Sequence, residues 1–143
     1  MTAKEFLMLG WRVESRIDKR SEELERLRER AEAVRSSAPK SGPRGGRRAD
    51  WTDAVAALAD AEARVDQDIV RLCRVRRLID EAIGQVPVIN QRRVLEMRYR
   101  NYMTWEDIAR EIPCDVRTVY RLHGRALLNI HVPEVIERPA SPD

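Results

Sequence analysis

Three arginine residues towards the C-terminal end of the sequence, Arg117, Arg121 and Arg125, lie four residues apart. In a helix, this spacing places their side chains on one face. A guanidinium group can donate two parallel hydrogen bonds to guanine or pair with phosphate, and the neighbouring Thr118 and Tyr120 can reach a phosphate or a thymine methyl group. The pattern indicates a helix that could read double-stranded DNA from the major groove. An ordinary solvated helix face would show the same pattern.

The helix that must carry these arginines is predicted over residues 115–129, with Asp115 as its N-cap. Its apolar residues recur every three or four positions, as in an amphipathic helix: Val116, Val119, Leu122, Ala126 and Ile130. A shorter helix precedes it. That helix starts at the N-cap Thr104, with Asp107 completing a capping-box-like pattern, and Pro113 ends it. Two short helices, a tight turn and a basic second helix are typical of a helix-turn-helix.

Other residues are candidates for additional DNA contacts. Thr104 and Trp105 lie at the start of the first short helix, and His123 lies within the second, where we expect it on the surface or facing a phosphate. The Ser-, Pro- and Gly-rich segment 35–50 is interpreted either as a solvated connector or as a basic arm that contacts phosphate. The basic residues of that segment are Lys40, Arg44, Arg47 and Arg48.

Neither catalysis nor metal binding is predicted from the residue pattern. Cys73 and Cys114 form no CxxC motif, and His123 and His131 do not complete a zinc-binding spacing with them. The GPRGG segment lacks the Lys-Ser/Thr pair of a phosphate-binding loop. We therefore expect a protein that is not an enzyme, has no metal site and uses no cofactor.

The composition is that of a mostly helical, well-solvated protein. Of the 143 residues, 36% are charged and 5% aromatic, and the net charge is only +3. Any DNA footprint must therefore be local. No stretch approaches the roughly 18 consecutive apolar residues of a membrane span, and the two cysteines are expected to be free thiols in a reducing compartment. We expect a cytoplasmic protein with no membrane contact.

Two long helices are predicted upstream, over about residues 2–34 and 51–85, with segment 35–50 as a flexible loop between them. Their apolar residues follow the alternating spacing of three and four that is typical of a coiled coil. In the first helix these are Ala3, Phe6, Gly10, Val13, Ile17, Leu24, Leu27, Ala31 and Val34, interrupted by Arg20. In the second they are Val55, Leu58, Val65, Ile69, Leu72, Ile79, Ile83 and Val86, interrupted by Glu62 and Arg76.

Long helices joined by a flexible loop most simply form an antiparallel hairpin. The sequence thus predicts an all-α fold, with a long antiparallel coiled-coil hairpin at residues 1–86 and a helix-turn-helix domain at 87–131. A further helix at 88–100 opens that domain, and a flexible tail follows at 132–143. Because a two-helix hairpin buries little surface, its seam must be completed by the C-terminal helices or by a second copy. We favour a homodimer through this hairpin.

The segment QRRVLEMRYRNYMTWEDIAREIPCDVRTVYRLHGRAL resembles the region-4 helix-turn-helix of sigma-70-type factors. The matching residues are Val94, Leu95, Met97, Arg98 and Tyr99, then Thr104, Trp105, Glu106, Ile108 and Ala109, then Val116, Thr118, Val119, Arg125, Ala126 and Leu127. The sequence departs from that pattern at Pro113-Cys114 and at residues 120–123, so base preference cannot be carried over. No counterpart of sigma region 2 precedes the segment, so we do not expect a complete sigma factor.

The whole arrangement resembles small phage and prophage proteins near the ArpU-like and RinA-like late-gene transcription regulators. The resemblance implies a phage-encoded, sequence-specific activator of late or packaging genes that works in the cytoplasm of the bacterial host. It leaves open a contact with host RNA polymerase. Two alternatives remain at this point: a small-terminase-like DNA-packaging protein, and a protein that binds RNA polymerase without reading DNA.

Overall fold

The computed structural model describes residues 1–36 and 46–134, except for the side chains of 46–48. Over these ranges the protein contains helices and no strand, which confirms the predicted all-α class. The helices are α1 (Ala3–Ser36), α2 (Gly46–Gly84), α3 (Ile89–Leu95), α4 (Trp105–Glu111) and α5 (Val116–Leu128). A π-helical turn, Glu96–Arg100, continues α3. Residues 37–45 of the predicted loop and 135–143 of the predicted tail lie outside the described residues.

The chain divides into two compact units, and both long helices contribute to both of them. The hairpin unit is Arg12–Cys73. The helix-turn-helix unit combines Met1–Trp11 with Arg74–Asp143. The predicted division near residue 86 stays a prediction. The structural grouping differs from it, because it assigns the first residues of α1 and the last turns of α2 to the helix-turn-helix unit.

In the hairpin unit, α1 and α2 pack antiparallel to each other, as predicted. Arg20 pairs with Asp68, whereas Arg28, further along α1, pairs with Glu62, which lies earlier on α2. Residue numbers therefore rise on one helix as they fall on the other. Among the predicted seam residues, the buried ones in this unit are Val13, Leu24, Ala31 and Val65.

Within a single chain, two residues of the predicted α2 seam, Val55 and Ile69, are exposed. Asp68, next to Ile69, is turned towards α1 and is buried. Its Oδ2 accepts a 2.6 Å hydrogen bond from Arg20 Nη1, and its Oδ1 lies 3.5 Å from Arg16 Nε. A buried carboxylate needs such partners, and the two arginines of α1 hold Asp68 where the spacing alone would place Ile69.

The helix-turn-helix unit has one apolar cluster that joins its long and short helices. α1 supplies Phe6, Leu7 and Leu9 to this cluster, and every one of them is nearly or fully buried. The N-terminal end of α1 therefore completes the core on which α5 rests. The rest of the cluster comes from the end of α2 and from the C-terminal elements: Val75, Ile79, Ala82, Ile83, Val86, Leu95, Tyr99, Ala126 and Ile130.

A second apolar cluster holds the three short helices together. It contains Val94, Met97, Ile108, Ala109 and Val119, all buried. Val94 belongs to this cluster and its neighbour Leu95 to the first, so α3 is buried on two sides. The π-helical turn that follows has a backbone hydrogen bond of 3.2 Å from Asn101 N to Glu96 O. One extra residue in a helical turn rotates the side chains beyond it, and such turns are frequent at functional sites.

Candidate nucleic-acid interface

Both predicted helix starts are confirmed. Thr104 Oγ1 accepts a hydrogen bond of 3.2 Å from Asp107 N at the start of α4. Asp115 Oδ1 accepts one of 2.8 Å from Thr118 N at the start of α5, and this bonding to Thr118 is the main reason that the pKa of Asp115 is lowered. α4 ends at Glu111, two residues before Pro113, as predicted. The caps and the proline thus define the turn between the two helices.

The inner side of α5 is buried as predicted. Val119 and Ala126 are fully buried, while Val116 and Leu122 are half-buried at the edge of the second cluster. At the C-terminal end of α5, Asn129 Nδ2 donates a 2.7 Å hydrogen bond to Gln91 Oε1 of α3. These contacts hold α5 against α3 and α4.

The outer face of α5 carries the predicted arginines. Arg117, Arg121 and Arg125 are exposed, and so is Tyr120, whereas Thr118 is half-buried. Gly124 lies between the arginines on the same face, with open space where a Cβ would be. The outer face of α5 is therefore basic, and Gly124 leaves space beside Arg125.

The three arginines of α5 differ from other arginines of the same unit. Arg100 Nε lies 3.0 Å from Asp80 Oδ1, and Arg110 is paired with Asp107. Within the described part of the chain, Arg117, Arg121 and Arg125 make no ion pair and no side-chain hydrogen bond. Their hydrogen-bond donors face solvent and are available to an external acceptor.

His123 is not a surface residue, and the prediction that it lies on the surface is wrong. Only 8% of the residue is exposed, and its Nε2 is 2.7 Å from the hydroxyl oxygen of Tyr99. Burial, followed by the positive charges of Lys4 and Arg98, lowers the pKa of His123 from 6.5 to about 4. Burial also raises the pKa of Tyr99. The two side chains therefore form a neutral pair, joined by one hydrogen bond, on the buried side of α5.

Trp105 connects α4 to α5 through ring contacts. Its ring centroid lies 5.2 Å from that of Tyr120 and 4.8 Å from that of His123, which it meets edge-on. The residue is half-buried and packs against the second apolar cluster. Thr104, by contrast, is exposed. Trp105 thus holds the ring of Tyr120, a residue of the outer face of α5. Its predicted contact with DNA would be a second, separate role.

Arg98 is a residue for which the sequence pattern predicted no role at the site. Its guanidinium carbon lies 4.4 Å from the ring centroid of Trp105 and 5.5 Å from that of Trp11, so α1 and α4 meet across it. Its Nη1 donates a 2.8 Å hydrogen bond to Met103 O. Tyr102, which has a positive φ of 53°, lies with its ring centroid 5.5 Å from that of Trp11. Arg98 thus lies between the rings of Trp11 and Trp105. In the sequence, the only sign of this arrangement is an arginine close to aromatic residues.

The basic residues of the predicted loop fall largely outside the described part of the chain. Lys40 and Arg44 lie outside the described residues. Arg47 and Arg48 belong to the first turn of α2, which begins at Gly46, earlier than predicted, and their side chains also lie outside the described part. A role for these four residues in contacting phosphate stays a prediction.

The described residues offer no metal site. No group of three or more His, Cys, Asp or Glu side chains in those ranges could hold a metal ion. Cys73 is exposed and Cys114 half-buried, and both are free thiols. Within the same ranges, no helix combines the length and apolar character that crossing a membrane requires.

Comparison with known proteins gives one family. No curated protein and no solved structure matches the chain. A family model described as "Protein of unknown function (DUF722)" matches residues 10–126, a range that runs from the first turns of α1 almost to the end of α5. The chain therefore belongs to the DUF722 family of proteins of unknown function.

Proposed function

We propose that the protein is a sequence-specific, DNA-binding transcription regulator that places α5 in the major groove. One observation carries the proposal. Arg117, Arg121 and Arg125 project from one face of a capped helix whose opposite face is buried, and none of them is paired within the described part of the chain. A rigidly held helix with free guanidinium groups is what direct reading of base edges requires.

The proposed contacts follow the order of residues along α5. Arg117 and Arg121 lie in the N-terminal half and would read base edges, whereas Arg125 would contact the backbone. Thr118 and Tyr120 would add contacts to phosphate or to a thymine methyl group.

The residues around α5 have different proposed roles. Thr104 and Trp105 at the start of α4 would contact the neighbouring DNA backbone. His123 lies on the buried side of α5. Its hydrogen bond to Tyr99 supports the orientation of the helix, and we do not expect it to contact DNA.

The wider biological role rests on the sequence resemblance. It comprises activation of phage late or packaging genes in the cytoplasm of the bacterial host, and it leaves open a contact with host RNA polymerase. We further propose that two copies pair through the N-terminal hairpin, so that each α5 reads one half-site of an operator.

Fluorescence anisotropy over a salt series tests DNA binding, with duplexes taken from the genomic neighbourhood of the gene. The double variant Arg117→Ala/Arg121→Ala should weaken binding to the specific duplex by about 1–3 kcal/mol for each base that is no longer read. The logarithm of the binding constant falls linearly with the logarithm of the salt concentration. Each lost bond to phosphate should reduce the magnitude of that slope by about 0.9. The two side chains make no ion pair or side-chain hydrogen bond in the described part of the chain and act only through charge on the exposed Asp115, so thermal stability should change little.

The matched control is Arg26→Ala/Arg30→Ala, which removes two exposed arginines with the same spacing from α1. This control lowers the net charge equally but should leave specific binding intact. If both double variants bound the specific duplex as the unaltered protein does, α5 would not be the recognition helix. If both weakened it equally, binding would depend on net charge and not on this face.

A further inference from the structure

All of the exposed large apolar side chains in the described part of the hairpin unit belong to α2. They are Trp51, Val55, Ile69 and Val70, with exposed fractions of 38%, 41%, 45% and 62%. Over residues 12–36, α1 exposes none, and its outer faces carry charged residues. Trp51, Val55 and Ile69 fall on one face of α2, with Val70 to one side of it, and exposed apolar residues grouped in this way indicate a contact with another molecule.

Five exposed residues of α2 form a row with symmetric spacing. Val55 and Ile69 each lie seven residues from Glu62, while Trp51 and Cys73 each lie eleven residues from it. Seven and eleven residues correspond to nearly whole numbers of helical turns, so the five side chains share one face. All five are exposed. We call Trp51, Val55, Glu62, Ile69 and Cys73 the α2 outer row.

We infer that the α2 outer row is the surface on which a second copy of this chain docks, with the two α2 helices antiparallel and a two-fold axis at Glu62. In this arrangement Val55 of each copy meets Ile69 of the other, and Trp51 meets Cys73. The symmetric spacing is the argument for a second copy, because a two-fold interface must be complementary to itself. An unrelated partner would not require the same distances on both sides of Glu62.

The charges along the row permit this contact. Arg28 Nη2 lies 3.5 Å from Glu62 Oε1, so each Glu62 at the axis brings its own counter-charge. Asp66, the other acidic residue near the centre, would lie beside Leu58 and Ala59 of the second copy, not opposite another carboxylate. The product is a four-helix bundle in which Trp51, Val55 and Ile69 of both hairpins are covered, whereas Val70 lies outside the row. This inference rests on the proposal that two copies pair through the hairpin, and not on DNA binding.

Light scattering coupled to size exclusion measures the first consequence. The full-length protein should elute as a dimer, and Ile69→Glu should raise the dimer dissociation constant at least about a hundredfold, since each interface would then bury two unpaired carboxylates. Val55→Glu, its symmetry mate, should act in the same way. The matched control is Ile89→Glu, which changes an isoleucine that is 67% exposed in the helix-turn-helix unit and should leave the mass unchanged. A monomer would overturn the inference, as would a dimer unaffected by Ile69→Glu and Val55→Glu.

Oxidative cross-linking tests the antiparallel register. In a Cys114→Ser background, Trp51→Cys should give a covalent dimer through Cys73 of the second copy, whereas Cys114→Ser alone should remain uncross-linked. Cross-linking by Cys114→Ser alone would place the two Cys73 residues side by side and overturn the antiparallel arrangement, as would absence of cross-linking in Trp51→Cys.

DNA binding provides a separate readout. Ile69→Glu should still bind a duplex containing one half-site, while it loses affinity for a full operator. A cross-linked dimer that binds no DNA would leave this interface in place and contradict only the proposed function. A monomer that binds DNA specifically would contradict the interface and the proposed pairing of two copies, but not DNA binding by α5.

Discussion

The same two long helices are stabilised by different means in the two units that share them. In the helix-turn-helix unit, their ends pack with fully buried residues such as Phe6, Ile83 and Leu95. In the hairpin unit, the most buried polar group is Asp68, held by two arginines of α1, and two residues expected in the seam, Val55 and Ile69, are exposed. The helix-turn-helix unit thus has two buried apolar clusters, although Val88, Ile89 and Leu128 are exposed on its surface, whereas the hairpin unit places a charged contact between its helices.

The two units also differ in how their buried polar groups are satisfied. Buried polar groups of the helix-turn-helix unit are neutral and satisfied within it, as in the Tyr99–His123 pair. The hairpin unit instead uses charges, which define register and direction but add little net stability. A helix-turn-helix unit with its own apolar core and a hairpin that pairs with a second copy are the parts that the proposed dimeric DNA-binding protein would need.

The largest difference between the units should be in the free energy of unfolding that is lost when one apolar side chain in each is shortened. Ile108 is fully buried, so Ile108→Ala should lower the free energy of unfolding by about 4 kcal/mol through lost burial and the cavity left behind. Leu58→Ala, at a half-buried position of the hairpin unit, should cost about 1 kcal/mol. Urea unfolding followed by circular dichroism measures both. Equal losses would contradict the contrast between the apolar core of one unit and the charged contact of the other.

The next effect concerns pH and should be confined to the helix-turn-helix unit. His123 has a pKa lowered from 6.5 to about 4, so below pH 6.5 the unfolded chain binds a proton that the folded chain does not. Stability from this residue is therefore complete above pH 6.5 and is lost as the pH falls towards 4, by up to about 3 kcal/mol. Urea midpoints between pH 7 and 4 measure the loss. His123→Gln should flatten this part of the profile, and an unchanged slope would show that other groups cause it.

A smaller effect should come from the ion cluster of the hairpin unit. Asp68→Ala removes the carboxylate shared by Arg16 and Arg20, whose side chains are each 34% exposed and can turn to water. The loss should therefore be about 1–2 kcal/mol, less than for a fully buried pair. Unfolding monitored by circular dichroism in low and high salt checks this. A loss as large as that of Ile108→Ala would mean that the hairpin depends on its charges as strongly as the other unit depends on its core.

The smallest expected effect is a gain in stability. Gly124 lies within α5 and has no neighbour within 4 Å of an added Cβ, so Gly124→Ala should stabilise the helix-turn-helix unit by about 0.5–1 kcal/mol. Thermal unfolding measures the gain. If the outer face of α5 contacts DNA, the same methyl group should alter operator affinity although it stabilises the fold. A gain in stability with unchanged affinity would place Gly124 outside the DNA-binding surface.

Sequence reasoning succeeded where the signal is local. The N-caps Thr104 and Asp115, the stop before Pro113 and the buried face of α5 each depend on residues within a few positions of one another. All of them are confirmed. The exposure of the three α5 arginines followed from the same periodicity, while their DNA contacts stay a prediction.

Sequence reasoning failed where a residue's environment depends on a distant partner. His123 was expected on the surface from its polar type, but Tyr99, 24 residues away in sequence, supplies a buried hydrogen-bond partner. Ile69 was expected in the seam, but two arginines of α1 draw its neighbour Asp68 inward. The aromatic stack around Arg98 likewise joins three separate segments. Periodicity carries no information about such partners.

The placement of Met1–Trp11 in the helix-turn-helix unit has a consequence for synthesis of the chain. Phe6 and Leu7 leave the ribosome long before the last of the residues they pack with, Ala126 and Ile130. Contacts of such high sequence separation cannot form until nearly the whole described chain has emerged. The helix-turn-helix unit therefore assembles last, after α1 and α2 of the hairpin unit can already have paired. Its N-terminal segment stays exposed until α5 has been synthesised.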